Sequence, residues 1–288
     1  MGEVPPDRMG EIEEGGMMDF VQFCHSHGVL LEGLPPAGRW VRVRTADKPR
    51  HRNGAVKWMG DAGFVQNWAT MEEPALWRGE TTREARQRIR EINRNAEREA
   101  AMQAYRAAQR AALILSECEL APHPYFAAKG FPDLSVNVWK DGVAVVPMRR
   151  GREIVGCQLI SSDGDKKFLF GQRSGGAEFV IGQAGRHILC EGYATALSAQ
   201  AALCNLKLPY VLHVTFSAGN MKRIAQGLPG GIVLADNDAS GTGERVAKEI
   251  GWPYWMSDTV GEDFNDAHQR RGTFALSIEL GGLLRRRA

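Results

Sequence analysis

The acidic residues in the C-terminal part of the chain define the chemistry it can do. Glu191 and the pair Asp236 and Asp238 each stand just past a short apolar run, His187-Ile188-Leu189-Cys190 and Gly231-Ile232-Val233-Leu234-Ala235. Apolar runs of this length, bounded by turn residues and followed by helical patterns, read as buried strands. In a parallel α/β sheet the C-terminal strand ends share one edge, and ligands bind there. Carboxylates far apart in sequence therefore converge on one point. They repel each other unless a cation stands among them, and a donor set made only of oxygen favours Mg²⁺ or Mn²⁺. Such ions mainly serve phosphoryl chemistry. A third acidic cluster, Gly261-Glu262-Asp263-Phe264-Asn265-Asp266, follows another short strand and adds Asp263 and Asp266 to the metal shell. Each cluster taken alone also has a structural reading: a helix-dipole partner for Glu191, an Asp-rich turn for 236–241, a helix cap for Asp263.

The elements that must position these acids follow from the pattern around them. Residues 186–277 alternate strand (187–190, 210–215, 231–235, 253–256) and helix (193–203, 220–227, 242–250). That order predicts a parallel sheet with helices on both faces. Residues 120–185 read as a mixed α+β segment opening at the helix-breaking Pro122-His123-Pro124, with strand-like stretches at 143–146, 153–160, 167–170 and 178–181. Residues 79–119 form one long helical connector, with Thr81 or Thr82 at its start. Between 80 and 112 it carries eight Arg against five Glu. It is a solvated helix with i,i+4 pairs, or one that also lies along nucleic-acid phosphates. Residues 17–78 hold a short helix and strands near 40–44, 55–59 and 64–68, a small antiparallel unit. That unit is rich in arginine and contains Trp40, Trp58 and Trp68. Residues 1–16 read as a disordered tail and 278–288 as a frayed C-terminal tail.

Composition sets outer bounds. With 288 residues, 43% of them hydrophobic, the chain has room for about two domains. A net charge of +2 permits nucleic-acid binding without demanding it. No apolar run approaches the ~18 residues of a membrane span, and the N-terminus lacks a signal-peptide pattern, so a cytoplasmic protein with no membrane partner is expected. The five cysteines are scattered without a C-x-x-C, and Cys24, His25 and His27 have no partner pair, so no zinc is expected.

Together the acidic clusters resemble a known family. From Arg186 to about Gly272 the chain is similar to a Toprim domain, the metal-binding module of bacterial replicative primases, topoisomerases and some nucleases. Glu191-Gly192 matches the Glu-Gly after the first strand, and Asp236 and Asp238 match the D-x-D after a later one. The run 191–196, Ser217-Ala218-Gly219-Asn220 and Asp263-Phe264-Asn265-Asp266 look most like Toprim primases of phages and mobile plasmids. Upstream, 124–130 resembles the element that opens the bacterial primase core, and Lys166-Lys167-Phe168 resembles the basic element before the Toprim sheet. One departure is Thr195, where bacterial primases usually carry a further Asp, so the metal shell leans more on Asp263 and Asp266. The resemblance implies a DNA primase making short RNA primers on single-stranded DNA from NTPs, with a replicative helicase on another chain as possible partner. It implies Asp236 and Asp238 as principal ligands and Glu191 as ligand or general base. Lys129, Lys166 and Lys167 would neutralise nucleotide or template charge. A zinc-free, ribbon-like unit at 17–78 would keep the template-reading role through Arg42, Arg44 and Trp58. A metal-dependent nuclease and a non-catalytic single-stranded DNA-binding or loading factor are the competing readings.

Overall fold

The computed structural model describes residues 18–79 and 83–285; the tail at 1–16 and the Thr81/Thr82 helix start lie outside the described residues. The chain divides into two compact units, Met1–Ala100 and Ala101–Ala288.

In the first unit, helix α1 (Phe20–Ser26) starts at Asp19. The Asp19 carboxylate accepts the Gln22 N–H at 2.8 Å, and the Gln22 side chain accepts the Asp19 N–H at 3.2 Å. This reciprocal cap satisfies two of the donors that a helix start leaves open. A five-stranded antiparallel sheet follows in simple order: β1 (Val29–Leu30), β2 (Trp40–Thr45), β3 (Gly54–Trp58), β4 (Ala62–Asn67) and β5 (Ala75–Arg78). Strand alternation turns Val41, Val43, Val56, Trp58, Val65 and Trp77 toward Phe20 and Cys24, which form the core of this unit. Gly63 on β4 lies under the Phe20 ring, and a Cβ there would stand 2.2 Å from Phe20 Cε2.

Helix α2 (Arg83–Ser116) begins in the first unit and ends in the second. After it come β6 (Glu119–Pro122), α3 (Pro124–Ala128), β7 (Ser135–Trp139), β8 (Val143–Arg150), β9 (Glu153–Ile160) and β10 (Lys166–Phe168). Their five strands form a second antiparallel sheet, ordered β10-β9-β8-β7-β6. One face packs Val145 and Cys157 under Ala111 and Ile114 of α2. The other turns Val136, Ala144, Val146, Met148 and Ile160 into the main core.

The third sheet comprises β11 (Phe179–Gly182), β12 (Arg186–Cys190), β13 (Tyr210–Val214), β14 (Gly231–Leu234) and β15 (Tyr254–Trp255), in the order β11-β13-β12-β14-β15. Strands β13, β12, β14 and β15 are parallel, and β11 joins the edge antiparallel to β13. Between these strands run α4 (Tyr193–Asn205), α5 (Ala218–Ala225) and α6 (Thr242–Ile250), and α7 (Phe264–Arg285) closes the described chain. Alternate residues of the central strands serve two cores. Ile188, Cys190, Leu212, Val214, Ile232 and Leu234 face α4 and α7, whereas Leu189, Val233 and Ala235 face α5 and α6. The chain is thus a mixed α/β protein in which two of three sheets are wholly antiparallel. Residues 278–285, expected as frayed, continue α7 past a kink at Gly272, with Leu280 fully buried.

Phe20 is 1% exposed, and a Cβ added at 63 would press against three atoms of its ring. Gly63→Ala is therefore expected to destabilise the first unit by ~1–3 kcal/mol, the usual cost of overpacking. Thermal melts followed by tryptophan fluorescence test this, since Trp58 and Trp77 line that core. An unchanged melting temperature would contradict the packing.

Candidate active site

Parallel pairing brings the acids together. His187 and Leu189 of β12 pair in register with Gly231 and Val233 of β14, so Glu191 and Asp236 emerge at the same edge of the sheet. Gly192 caps α4 in an extended conformation with no side-chain hydrogen bond. Gly243, at the start of α6, closes the loop from the other side. A Cβ there would lie 2.2 Å from the Asp236 carbonyl oxygen, so only glycine allows this approach.

Asp236 occupies the least favourable position. Its Oδ1 is buried without a hydrogen-bond partner. Burial first, then the charges of Glu191, Asp263 and Asp238, push its carboxyl up to about 7, against the opposing pull of Lys166. Burial also raises Glu191, which is eased by the Ala218 N–H at the start of α5 and by Lys166. Glu191, Asp236 and Asp263 therefore share one electrostatic neighbourhood, with Lys166 as a nearby cation. Lys166 also stands 5.5 Å from the Tyr125 ring centroid.

The other acids are engaged within the chain. Asp238 accepts the Ser240 hydroxyl, the Ser240 N–H at 2.7 Å and the Gly243 N–H at 3.3 Å. These bonds, that of the Ser240 side chain foremost, hold its carboxyl below the ordinary range. The carboxylate does the capping that Gly241, in a left-handed conformation before α6, cannot do. Asp263 accepts the Asp266 N–H at 2.8 Å and the Thr195 hydroxyl at 3.2 Å, while Asp266 accepts the Asp263 N–H at 3.4 Å. Lys129 pairs with Asp266 at 3.0 Å. Burial pulls the Lys129 ammonium down, but Asp266 and Asp263 outweigh it and leave it raised.

Lys167 pairs in register with Leu159, which packs on the α2 side of the second sheet, so Lys167 faces away from Lys166 and the acids. Arg42, Arg44 and Trp58 belong to the first unit, where Trp58 packs against the core and the two arginines lie on the exposed face. Two further residues hold the site in place, Asn265 within the 263–266 run and Phe216 after β13. Asn265, fully buried, donates to the Lys129 carbonyl and to Ser198 Oγ, both at 2.9 Å, tying α7 to α4 and α3. Phe216 takes a positive φ of 65° while its N–H donates to the Glu191 carbonyl at 3.0 Å. No sequence signal marks such a conformation in a phenylalanine.

Among the described residues, no group of three or more His, Cys, Asp and Glu side chains is already arranged around a metal position. The donor set nevertheless fits a hard divalent cation. It is all oxygen, one buried Asp236 oxygen lacks a partner, and its neighbours repel it.

No family model and no curated protein matches the sequence. Among solved structures, the chain overlaps one in the complex of bacteriophage T7 lagging-strand DNA polymerase with primase domains of two gp4 subunits bound to an RNA/DNA hybrid and dTTP. The TM-score is 0.37 at 18% identity, covering 52% of this chain and 80% of that one. A likeness of that size fixes neither fold nor function. Among the described residues, no helix is long and apolar enough to cross a membrane.

The Asp236 carboxyl keeps its proton to about pH 7 in the folded chain, whereas an unfolded one releases it near 3.8. The unfolded state therefore loses the proton first, and the associated stability, full below about pH 4, is lost as pH rises to about 7. Asp236→Asn removes this penalty. The metal-free variant is expected to melt above wild type near pH 8, with the gap closing toward pH 4. Equal melting temperatures at both pH values would refute the burial of a repelled carboxylate.

Proposed function

We propose that this chain is a DNA primase of the Toprim type found in phages and mobile elements, making short RNA primers on single-stranded DNA from NTPs. The observation that carries this reading is the unpartnered Asp236 oxygen, held beside Glu191 and Asp263 at the edge of a parallel sheet, with Lys166 and Lys129 close by.

Mg²⁺ or Mn²⁺ bound there would neutralise charge on the reacting phosphates and sharpen the nucleophile. Asp236 and Asp238 would be the principal ligands, and Asp263 and Asp266 would hold a further ion or the triphosphate. Glu191, made more basic by burial, is a ligand or accepts the proton of the primer 3′-hydroxyl. The 3′-oxygen then bonds to the α-phosphorus of the incoming NTP, the bond to the β-phosphate breaks, and pyrophosphate leaves. Lys129 and Lys166 offset triphosphate charge. Lys167, on the other face of its strand, is left out of this assignment. Thr195 holds Asp263 by hydrogen bond at the position where related primases carry an acid. The template strand is single-stranded DNA, and a helicase on another chain is the expected source of that strand.

The test is de novo synthesis on single-stranded DNA with labelled NTPs, with and without Mg²⁺ or Mn²⁺. Short, template-dependent, metal-dependent products are expected. Asp236→Asn and Asp238→Asn should abolish them, and Glu191→Gln should slow synthesis by roughly 10²- to 10⁴-fold if it is the base. DNA degraded without NTPs would replace this reading with a nuclease. Intact DNA and no product would replace it with a binding or loading factor.

A further inference from the structure

The sheet of the first unit has a second face, opposite its core. Register defines its rows. Trp40 pairs with Lys57, Lys57 with Phe64 and Phe64 with Leu76; in the next row Arg42 pairs with Ala55 and Ala55 with Gln66. Trp68 extends the face beyond Gln66, its N–H donating to the Asn53 carbonyl at 3.3 Å. Trp40 is 49% and Trp68 46% exposed, although the same sheet buries other aromatic rings on its core side. The Trp40 and Phe64 ring centroids are 6.2 Å apart, and the Arg42 guanidinium lies 3.9 Å from the Trp68 ring centroid. Ala55 contributes only a methyl group at the centre, which leaves a cleft of about 390 Å³ walled by Trp40, Arg42, Gln66, Trp68 and Pro74.

The strands of this face carry charge of one sign. Strands β2 to β5 contain no Asp or Glu, while Arg42, Arg44, Lys57 and Arg78 alternate onto the outer face. Arg42 and Arg44 make no ion pair among the described residues. Exposed indoles next to unpaired guanidinium groups match a ligand with flat rings and repeated negative charge. Unpaired nucleobases on a phosphodiester backbone have both, whereas a duplex keeps its base faces stacked inside.

We propose that this face binds single-stranded nucleic acid, with bases stacking on Trp40 and Trp68 and phosphates held by Arg42, Arg44 and Lys57. Arg42, stacked on Trp68 in the free protein, is placed to cover an inserted base. Rows two residues apart along a strand are ~7 Å apart, so the tryptophan rows, four residues apart, are ~13 Å apart, enough for separate bases. The proposal gives the template strand a place to bind, and it rests on the primase reading only for the choice of DNA over RNA. The ring faces at 40 and 68 take the role expected of Trp58, which the core occupies.

The full chain is titrated with a fluorescently labelled oligothymidylate, without NTPs and with divalent ions chelated. Metal-independent binding is expected, with quenching of tryptophan fluorescence and weaker binding to a duplex of equal length. Trp40→Ala and Trp68→Ala should each weaken binding by roughly 5- to 100-fold, with Trp40→Phe restoring most of it. Arg42→Ala should lower the slope of log K against log salt by about 0.7. If the alanine variants melt abnormally, Trp40→Phe and the Arg42→Ala salt slope decide. Unchanged binding by a folded Trp40→Ala/Trp68→Ala double variant overturns the proposal, as does failure of the oligothymidylate to bind at low salt. A chain that binds through these tryptophans but makes no primers keeps this inference and loses the catalytic one. Primer synthesis with binding indifferent to both tryptophans does the reverse.

Discussion

The second unit is arranged around one electrostatic problem: carboxylates that the sheet forces together with too little water to screen them. Asp236 bears most of it. A rise from 3.8 to about 7 corresponds to roughly 4 kcal/mol of preference for the protonated form. That exceeds what an exposed ion pair contributes, typically ~0–1 kcal/mol. Surface pairs such as Lys248–Glu244 cannot offset it. What makes the cluster tolerable is local. The Ala218 N–H eases Glu191, the 240–243 loop satisfies Asp238, and the reciprocal cap at the start of α7 engages Asp263 and Asp266. Helix N-termini are suited to this because their free N–H groups carry partial positive charge.

Two cations complete the arrangement, and both come from the part of the chain before the parallel sheet. Lys129 follows α3 and Lys166 opens β10, so their reach depends on how the second and third sheets are joined. Arg149 and Glu178 exchange backbone hydrogen bonds of 2.9 and 2.8 Å and link β8 to the segment entering β11. Tyr125, Phe126, Tyr193 and Phe179 form a chain of edge-on ring contacts, each 5.0–5.1 Å between centroids, from α3 through α4 to β11. On the opposite side of the third sheet, Glu178 Oε2 lies 2.7 Å from His213 Nδ1, and His213 Nε2 lies 2.9 Å from His187 Nδ1. This chain ties the antiparallel edge strand to the central strands. Burial, and next the neighbouring His213, lower the His187 pKa and favour its neutral form. The carboxylates are thus held by the sheet, and their counter-charges by the joint.

The sequence made some features legible and hid others for physical reasons. β12, β14 and the acids beyond them stood out because buried parallel strands are continuous apolar runs ending in turn residues. β1 and β5 were not read, being two and four residues long with little pattern to show. Parity was harder still. In a strand, neighbouring side chains point to opposite faces, and composition does not say which of two adjacent residues looks inward. Lys166 and Lys167 look alike in sequence, yet only Lys166 acts on the acids. Trp40, Trp58 and Trp68 were equally alike, and only pairing with Gly63 under Phe20 turns Trp58 against the core. The stretch after 277 reads as a frayed tail, but α7 runs on past its kink at Gly272, and Leu276 and Leu280 carry the helix back into the core.

The two acids of the D-x-D motif end up with opposite properties although they are two residues apart. Asp238 lies near the surface, bonded to hydroxyl and amide donors, and its carboxyl is shifted down. Asp236 is enclosed, lacks a partner for one oxygen, and is shifted up to about 7. Environment alone separates them, as it does wherever paired acids take different roles. The consequence is a division of labour before any ligand arrives. Asp238 is ionised throughout the neutral range and already shapes the loop, so binding a cation through it means exchanging amide bonds for a metal bond. Asp236 is partly protonated near neutral pH, so binding through it releases a proton and relieves its repulsion with Glu191 and Asp263. If a cation binds here as proposed, its affinity would be governed by Asp236, and the loop order that frames it by Asp238.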